Sequence, residues 1–202
     1  MTIEEARARA AEISRAFYEK GDATGWFDAL YAEAGGDESK IPWADLEPNP
    51  NFVAWLEKNP LDGAGKKGIV VGCGLGDDAE ELARFDFQVT AFDISPKAIE
   101  WAKKIHPETK VNYSVEDLFN LPEKFKNAFD FVLEVYTVQA LPVSLREKAI
   151  KAIAELVAPD GELLFVGRGG DEGETTETPP FPLRKSELDK FVEYGLSEIE
   201  FE

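Results

Sequence analysis

The sequence predicts an α/β fold, a Rossmann-like, doubly wound and mostly parallel sheet with helices on both faces. Three observations predict it. From Lys66 onward, short β-branched runs alternate with helix-length amphipathic segments. That alternation buries strands on both faces beneath crossover helices. The segment Gly72-Cys73-Gly74-Leu75-Gly76 follows the first run and opens a helix. An acid, Asp93, closes the second run about twenty residues further on.

Taken in order, residues 2–20 carry Ile3, Ala6, Ala10, Ile13 and Phe17 at helical spacing, with Gly21 as a stop. Residues 24–60 set Trp26, Phe27, Tyr31, Trp43, Phe52 and Trp55 among Pro42, Pro48, Pro50 and Pro60. This reads as short helices and turns, with one helix over 51–58. Strands are predicted at 68–72, 87–92, 111–115, 129–135, 162–167 and 196–201, and helices at 77–85, 95–105, 144–157 and 186–194. Ser95 is a natural N-cap and Pro96 fits the first helical position. The Gly/Thr/Glu/Pro-rich stretch 169–182 reads as a loop. The expected division is an N-terminal helical lid over 1–62 and a Rossmann-like domain over 63–202.

The chain has 202 residues, with 40 acidic against 22 basic side chains and a net charge of −18. A polyanion or an anionic membrane is repelled by such a surface, so neither nucleic acid nor membrane is an expected partner. A single cysteine permits no intrachain disulfide. Met1-Thr2-Ile3-Glu4-Glu5 lacks a secretory pattern and the apolar runs are strand-sized, so the expected location is cytoplasmic. The sequence shows no cluster of metal ligands.

Glycines permit a tight turn and close approach of backbone to a ligand, and a helix N-terminus offers free N–H groups. An acid at the end of the second strand, Asp93, can take both hydroxyls of a ribose. A dinucleotide site and an S-adenosylmethionine site both fit so far. The dinucleotide fingerprint needs glycine at its sixth position, where this chain has Asp77. A carboxylate there opposes a pyrophosphate but not a sulfonium, so the electrostatics favour the methyl donor. After the third strand, Asp117 could accept from an adenine amino group, or serve as a turn cap.

These residues resemble the class I S-adenosylmethionine-dependent methyltransferases. The match runs through Ile69-Val70-Val71-Gly72-Cys73-Gly74-Leu75-Gly76-Asp77-Asp78 and Ala91-Phe92-Asp93-Ile94-Ser95. Its Gly-Cys-Gly-x-Gly-x-Asp and Asp-Ile-Ser forms look most like the thiopurine, thiol/halide and tellurite-resistance branch. The resemblance implies that Gly72, Cys73, Gly74 and Gly76 form the donor loop, with the three glycines along the methionine and ribose parts. It implies that Asp93 binds the ribose, that Ile94 packs on adenine, and that Asp117 and Leu118 flank adenine. Glu134 and Val135 would lie near the methyl group, and Trp43, in Ile41-Pro42-Trp43, would close over the donor. Such sheets usually end in a seventh, antiparallel strand, whereas this sequence stops at the predicted sixth.

Methyl transfer from a sulfonium is an in-line displacement, in which alignment supplies much of the catalysis. The expected acceptor is a small molecule such as a thiol or halide, with S-adenosylhomocysteine as product and a monomer or homodimer as the working form. Tyr136, just past the fourth strand, is the candidate catalytic residue. Gln139 and Arg168 also follow strand ends, and the 169–182 loop would wall the acceptor site. His106, the only histidine, falls between the second crossover helix and the third strand, at the opposite end of the sheet. A donor-binding or nucleotide-binding module without catalysis is the main alternative; an NAD-dependent dehydrogenase is disfavoured by Asp77.

Overall fold

The computed structural model describes residues 1–171, 173, 174, 176 and 179–202. Part of the predicted 169–182 loop therefore lies outside the described residues. Among the described residues, five parallel strands form one sheet in the order β3-β2-β1-β4-β5. They are β1 (Lys67–Val71), β2 (Gln88–Asp93), β3 (Asn112–Val115), β4 (Phe129–Val135) and β5 (Val157–Val166). Strand order reverses between β1 and β4, and their C-terminal ends open the crevice where ligands of doubly wound sheets bind.

Among the described residues, eight α-helical segments accompany the sheet: α1 (Ile3–Tyr18), α2 (Gly25–Ala34), α3 (Pro50–Lys58), α4 (Asp77–Ala83), α5 (Pro96–Ile105), α6 (Val143–Ala154), α7 (Lys185–Leu188) and α8 (Lys190–Glu193). Local sequence explains their starts. Thr2 and Glu5 form a capping box on α1. Ser95 accepts from the Ala98 amide, with Pro96 at the first position of α5. Asn49 caps α3 ahead of Pro50.

Two apolar clusters cover the two sheet faces. One gathers Ile69, Phe92, Val132, Ile150 and Ile153 beneath α6. The other gathers Val70, Leu82, Ala91, Ile99, Phe131 and Leu133, with Phe52 and Leu56 of α3. A third joins α1 and α2 through Trp26, Leu30 and Tyr31 to Leu75 and Ala98. The N-terminal aromatics thus pack against the glycine loop and the start of α5.

Three sequence expectations are corrected. The predicted sixth strand is absent: residues 196–202 take no strand conformation. Its alternation would range Glu198, Glu200 and Glu202 along one face, where like charges repel. Instead Glu198 and Glu202 reach Lys185 at 2.5 Å and Lys58 at 2.9 Å, Phe201 lies under the Lys185 ammonium, and Ile199 is 85% exposed. The predicted helix over 186–194 breaks at Asp189 into α7 and α8. Finally, α6 stops at Ala154, and β5 begins at Val157 rather than Glu162. Ala158-Pro159-Asp160-Gly161, outside the predicted strand, is an irregularity within the ladder, which jumps from Phe129↔Val157 to Phe131↔Glu162. Asp160 at φ 63° absorbs the extra chain.

Candidate functional site

The turn after β1 is left-handed at Gly72, Gly74 and Gly76, with φ of 59°, 53° and 97°. Side chains rarely adopt such angles. Each glycine also meets a different neighbour. A Cβ on Gly72 would stand 2.4 Å from Thr137 Oγ1, and one on Gly74 would stand 3.1 Å from the Tyr31 hydroxyl. One on Gly76 would stand 2.2 Å from the Tyr113 hydroxyl. Gly76 therefore backs onto the core side of the turn.

Asp93 fixes the loop from below. Its Oδ2 accepts from the Gly74 amide at 3.0 Å and its Oδ1 from the Ser95 amide at 2.8 Å. The Cys73 amide donates to the Phe92 carbonyl at 2.9 Å. Burial pushes the Asp93 carboxyl upward, against the lowering effect of these amides. Burial and the Asp93 carboxylate push the Cys73 thiol well up, so it is neutral at pH 7.

A cavity of about 790 Å³ opens above these strand ends. Trp43, Gly72, Cys73, Gly74, Asp93, Ile94, Asp117, Leu118, Val135 and Tyr136 all line it. Gly76 and Glu134 do not. Asp117 caps the following 3-10 turn by accepting from the Phe119 amide at 2.9 Å, so its capping role is present. The lining carries seven carboxylates (Asp45, Glu47, Asp77, Asp78, Asp93, Glu116, Asp117) against two guanidiniums, Arg7 and Arg168. Such a lining favours a cation over a polyanion.

Glu134 lies beneath the cavity wall, with no exposed surface. Its Oε1 accepts from the Val138 amide at 2.8 Å, while Oε2 has no hydrogen-bond partner among the described residues. Burial pushes this carboxyl up to about 8. The chain then turns sharply, and Tyr136 sits at φ 60° with its amide donating to the Val166 carbonyl at 2.9 Å. Strain in a tyrosine at a cavity wall is the kind that persists at functional sites. The Tyr136 hydroxyl meets Asn51 Nδ2 at 3.5 Å.

The side of the cavity formed by the N-terminal segment is aromatic. Trp43 is edge-on to Trp26 and Tyr31, with centroids 5.9 and 6.1 Å away, and its Nε1 donates to the Tyr31 hydroxyl at 2.8 Å. The Asn49 amide donates to Asp78 Oδ1 at 2.7 Å, tying the segment before α3 to α4. Burial raises the Asp78 carboxyl to about 6. Asp28 of α2 accepts from Ser95 Oγ at 2.7 Å and the Lys97 amide at 3.1 Å.

At the far end, Gln139 Oε1 accepts from the Arg168 amide at 2.6 Å, and Glu174 stands 3.6 Å from the Arg168 guanidinium. Both Gln139 and Arg168 line the cavity. Buried Arg146 holds the returning chain by donating to the Pro182 carbonyl at 3.1 Å and to Glu187 at 2.8 Å. His106 lines a separate depression with Glu80, Arg84 and Lys110. Sequence reasoning missed the parts played by Tyr31, Thr137, Asn49 and Asp78. Tyr31 alone had a legible signal, as the one phenol on the apolar face of α2.

Residues 69–161 match a family model described as a methyltransferase domain. Similar curated proteins are named "Ubiquinone biosynthesis O-methyltransferase". One from Xanthomonas oryzae pv. oryzae is 32% identical over 107 residues, covering 52% of this chain and 44% of that protein. One from Nitrosospira multiformis is 31% identical over 130 residues, covering 59% and 54%. The chain spans about half the length of the curated relatives it matches. Among solved structures, a TehB-like SAM-dependent methyltransferase from Corynebacterium glutamicum aligns with TM-score 0.58 at 20% identity, covering 84% of this chain and 83% of that one. The [4+2]-cyclase SpnF aligns with TM-score 0.66 at 21% identity, covering 85% and 70%. These likenesses show a shared fold. Fold, glycine loop and family match agree: residues 69–161 resemble a methyltransferase domain.

Proposed function

We propose that the chain transfers a methyl group from S-adenosylmethionine to a small-molecule acceptor by in-line displacement. The observation that carries the proposal is the acidic cavity above Gly72 and Gly74, held from below by Asp93. The group supplies an already activated methyl, so the protein's task is alignment and exclusion of water. On this reading Gly72, Cys73 and Gly74 run along the methionine and ribose parts of the donor. Asp93 takes the ribose, and Ile94, Asp117 and Leu118 surround adenine. Trp43 covers the donor from the lid formed by residues 1–62, and Val135 borders the methyl group. Gly76 and Glu134 act from behind, by packing and by holding the Tyr136 turn.

The acceptor end offers Tyr136, Phe119, Leu141 and Arg168, with no histidine among the described residues around it. Such a wall suits a nucleophile that needs no strong base, such as a thiol, a halide or a readily ionised phenol. The relatives' name favours the phenol as second reading, since it specifies methylation at oxygen. Incubation with S-adenosylmethionine and a panel of thiols, halides and phenols, with S-adenosylhomocysteine quantified by mass spectrometry, tests the proposal. Acceptor-dependent product supports transfer. Tight S-adenosylhomocysteine binding with no turnover on any acceptor would instead favour a binding module, and the cyclase neighbour shows that this fold also serves a protein named for another reaction.

A further inference from the structure

The hydroxyl of Tyr31 has a hydrogen that no described residue accepts. The residue is 3% exposed, and its oxygen accepts the Trp43 Nε1 hydrogen at 2.8 Å. A phenol oxygen also carries one donor, and the described residues hold no hydrogen bond in which Tyr31 is that donor. Burial pushes the phenol well above its usual range, so the hydrogen is present at neutral pH. A buried donor without an acceptor is unfavourable.

The position of that hydroxyl says what could claim it. The oxygen stands over Gly74, 3.1 Å from where a Cβ would be, and Tyr31 lines the cavity beside Gly74 and Asp93. Neither Asp93 oxygen accepts from Tyr31; they take the Gly74 and Ser95 amides. A ligand that satisfies Tyr31 must bring an acceptor atom to the glycine loop. The α-carboxylate of the methionine portion is the one anionic acceptor that S-adenosylmethionine offers, and the lining is otherwise dominated by carboxylates that cannot donate to it.

We propose that Tyr31 is a donor-binding residue that gives its O–H hydrogen bond to the α-carboxylate of S-adenosylmethionine. Trp43 orients it, because the indole N–H occupies one lone pair and leaves the hydrogen to face the loop. The proposal deepens the methyl-donor reading and rests on it.

Calorimetry on wild type and Tyr31→Phe tests it with two ligands, S-adenosylhomocysteine and 5′-methylthioadenosine, which lacks the amino-acid portion. The expected result is a loss of about ten- to a hundredfold in S-adenosylhomocysteine affinity, the scale of a hydrogen bond to a charged group, with methylthioadenosine affinity unchanged. Equal losses for both ligands would assign Tyr31 a packing role and overturn the proposal, as would no loss for either. Should the variant fail to fold, wild type alone decides. Decarboxylated S-adenosylhomocysteine must bind more weakly than the intact molecule, and equal affinity overturns the assignment. If wild type binds none of these ligands, the methyl-donor reading itself fails.

Discussion

Thr137 and Gly72 are in direct contact: the threonine hydroxyl donates to the Val71 carbonyl at 3.0 Å and fills the space a Gly72 side chain would need. The wall that follows β4 is thereby pressed onto the loop that follows β1. The two halves of the cavity cannot shift independently.

That contact makes Gly72→Ala costly twice over, through a left-handed φ and through the clash with Thr137. The expected loss of folding stability is about 2–4 kcal/mol, summing backbone strain and overpacking. Thr137→Ala in the same background should recover part of it. Urea unfolding of wild type and the two variants measures both effects, and no recovery would mean the contact is not the cause.

Asp93 holds two backbone amides, so Asp93→Ala leaves both without their acceptor. Affinity for S-adenosylhomocysteine should fall by about 1–3 kcal/mol, the range for unpairing buried polar groups. Asp93→Asn keeps one acceptor oxygen and should lose less. Calorimetry checks the order, and equal affinities for the two variants would separate the ligand from the loop.

Glu134 and Asp78 make stability depend on pH in one direction. Their folded-state carboxyls titrate at about 8 and about 6, above the ordinary values of 4.5 and 3.8. Between the ordinary and the raised values the unfolded chain has lost the proton that the native protein keeps. Stability therefore falls as pH rises, through about pH 4 to 6 for Asp78 and about pH 4.5 to 8 for Glu134. Glu134→Gln keeps an acceptor for the Val138 amide and removes the proton linkage. Thermal midpoints measured from pH 5 to 9 should decline in wild type and decline less in the variant.

Tyr136 spends stability on its position. Tyr136→Gly relieves a left-handed φ and should unfold no more easily than wild type, with a gain of up to about 1 kcal/mol. It should nonetheless lose turnover, whereas S-adenosylhomocysteine affinity stays within a few-fold. Tyr136→Phe separates the hydroxyl from the ring. Wild-type activity in both variants would leave the strain without a functional reason.

The strands that build the cavity were legible because each is a buried run flanked by turn residues: Ile69-Val70-Val71, Ala91-Phe92-Asp93 and Phe131-Val132-Leu133 sit where their composition put them. The glycine loop and Asp93 were legible because backbone geometry leaves few choices there. The tail over 196–202 was misread because alternation specifies a strand only when a partner edge and tolerable charges exist. Gly76 and Glu134 were grouped with the donor contacts by the family resemblance. Which way each faces depends on Tyr113 and Val138, residues far or hidden in the local pattern. Thr137 gains its role only from long-range packing, which no window of sequence displays.

The seven carboxylates of the lining act on time as well as on affinity. On the proposed reading the molecule that enters is a net cation, and the thioether left after transfer has no net charge. The Coulombic attraction that drew the first inward is absent for the second, so the cavity captures quickly and lets go readily. Added salt should slow capture while leaving escape almost untouched, because only the arriving species is steered across the Debye length of about 8 Å.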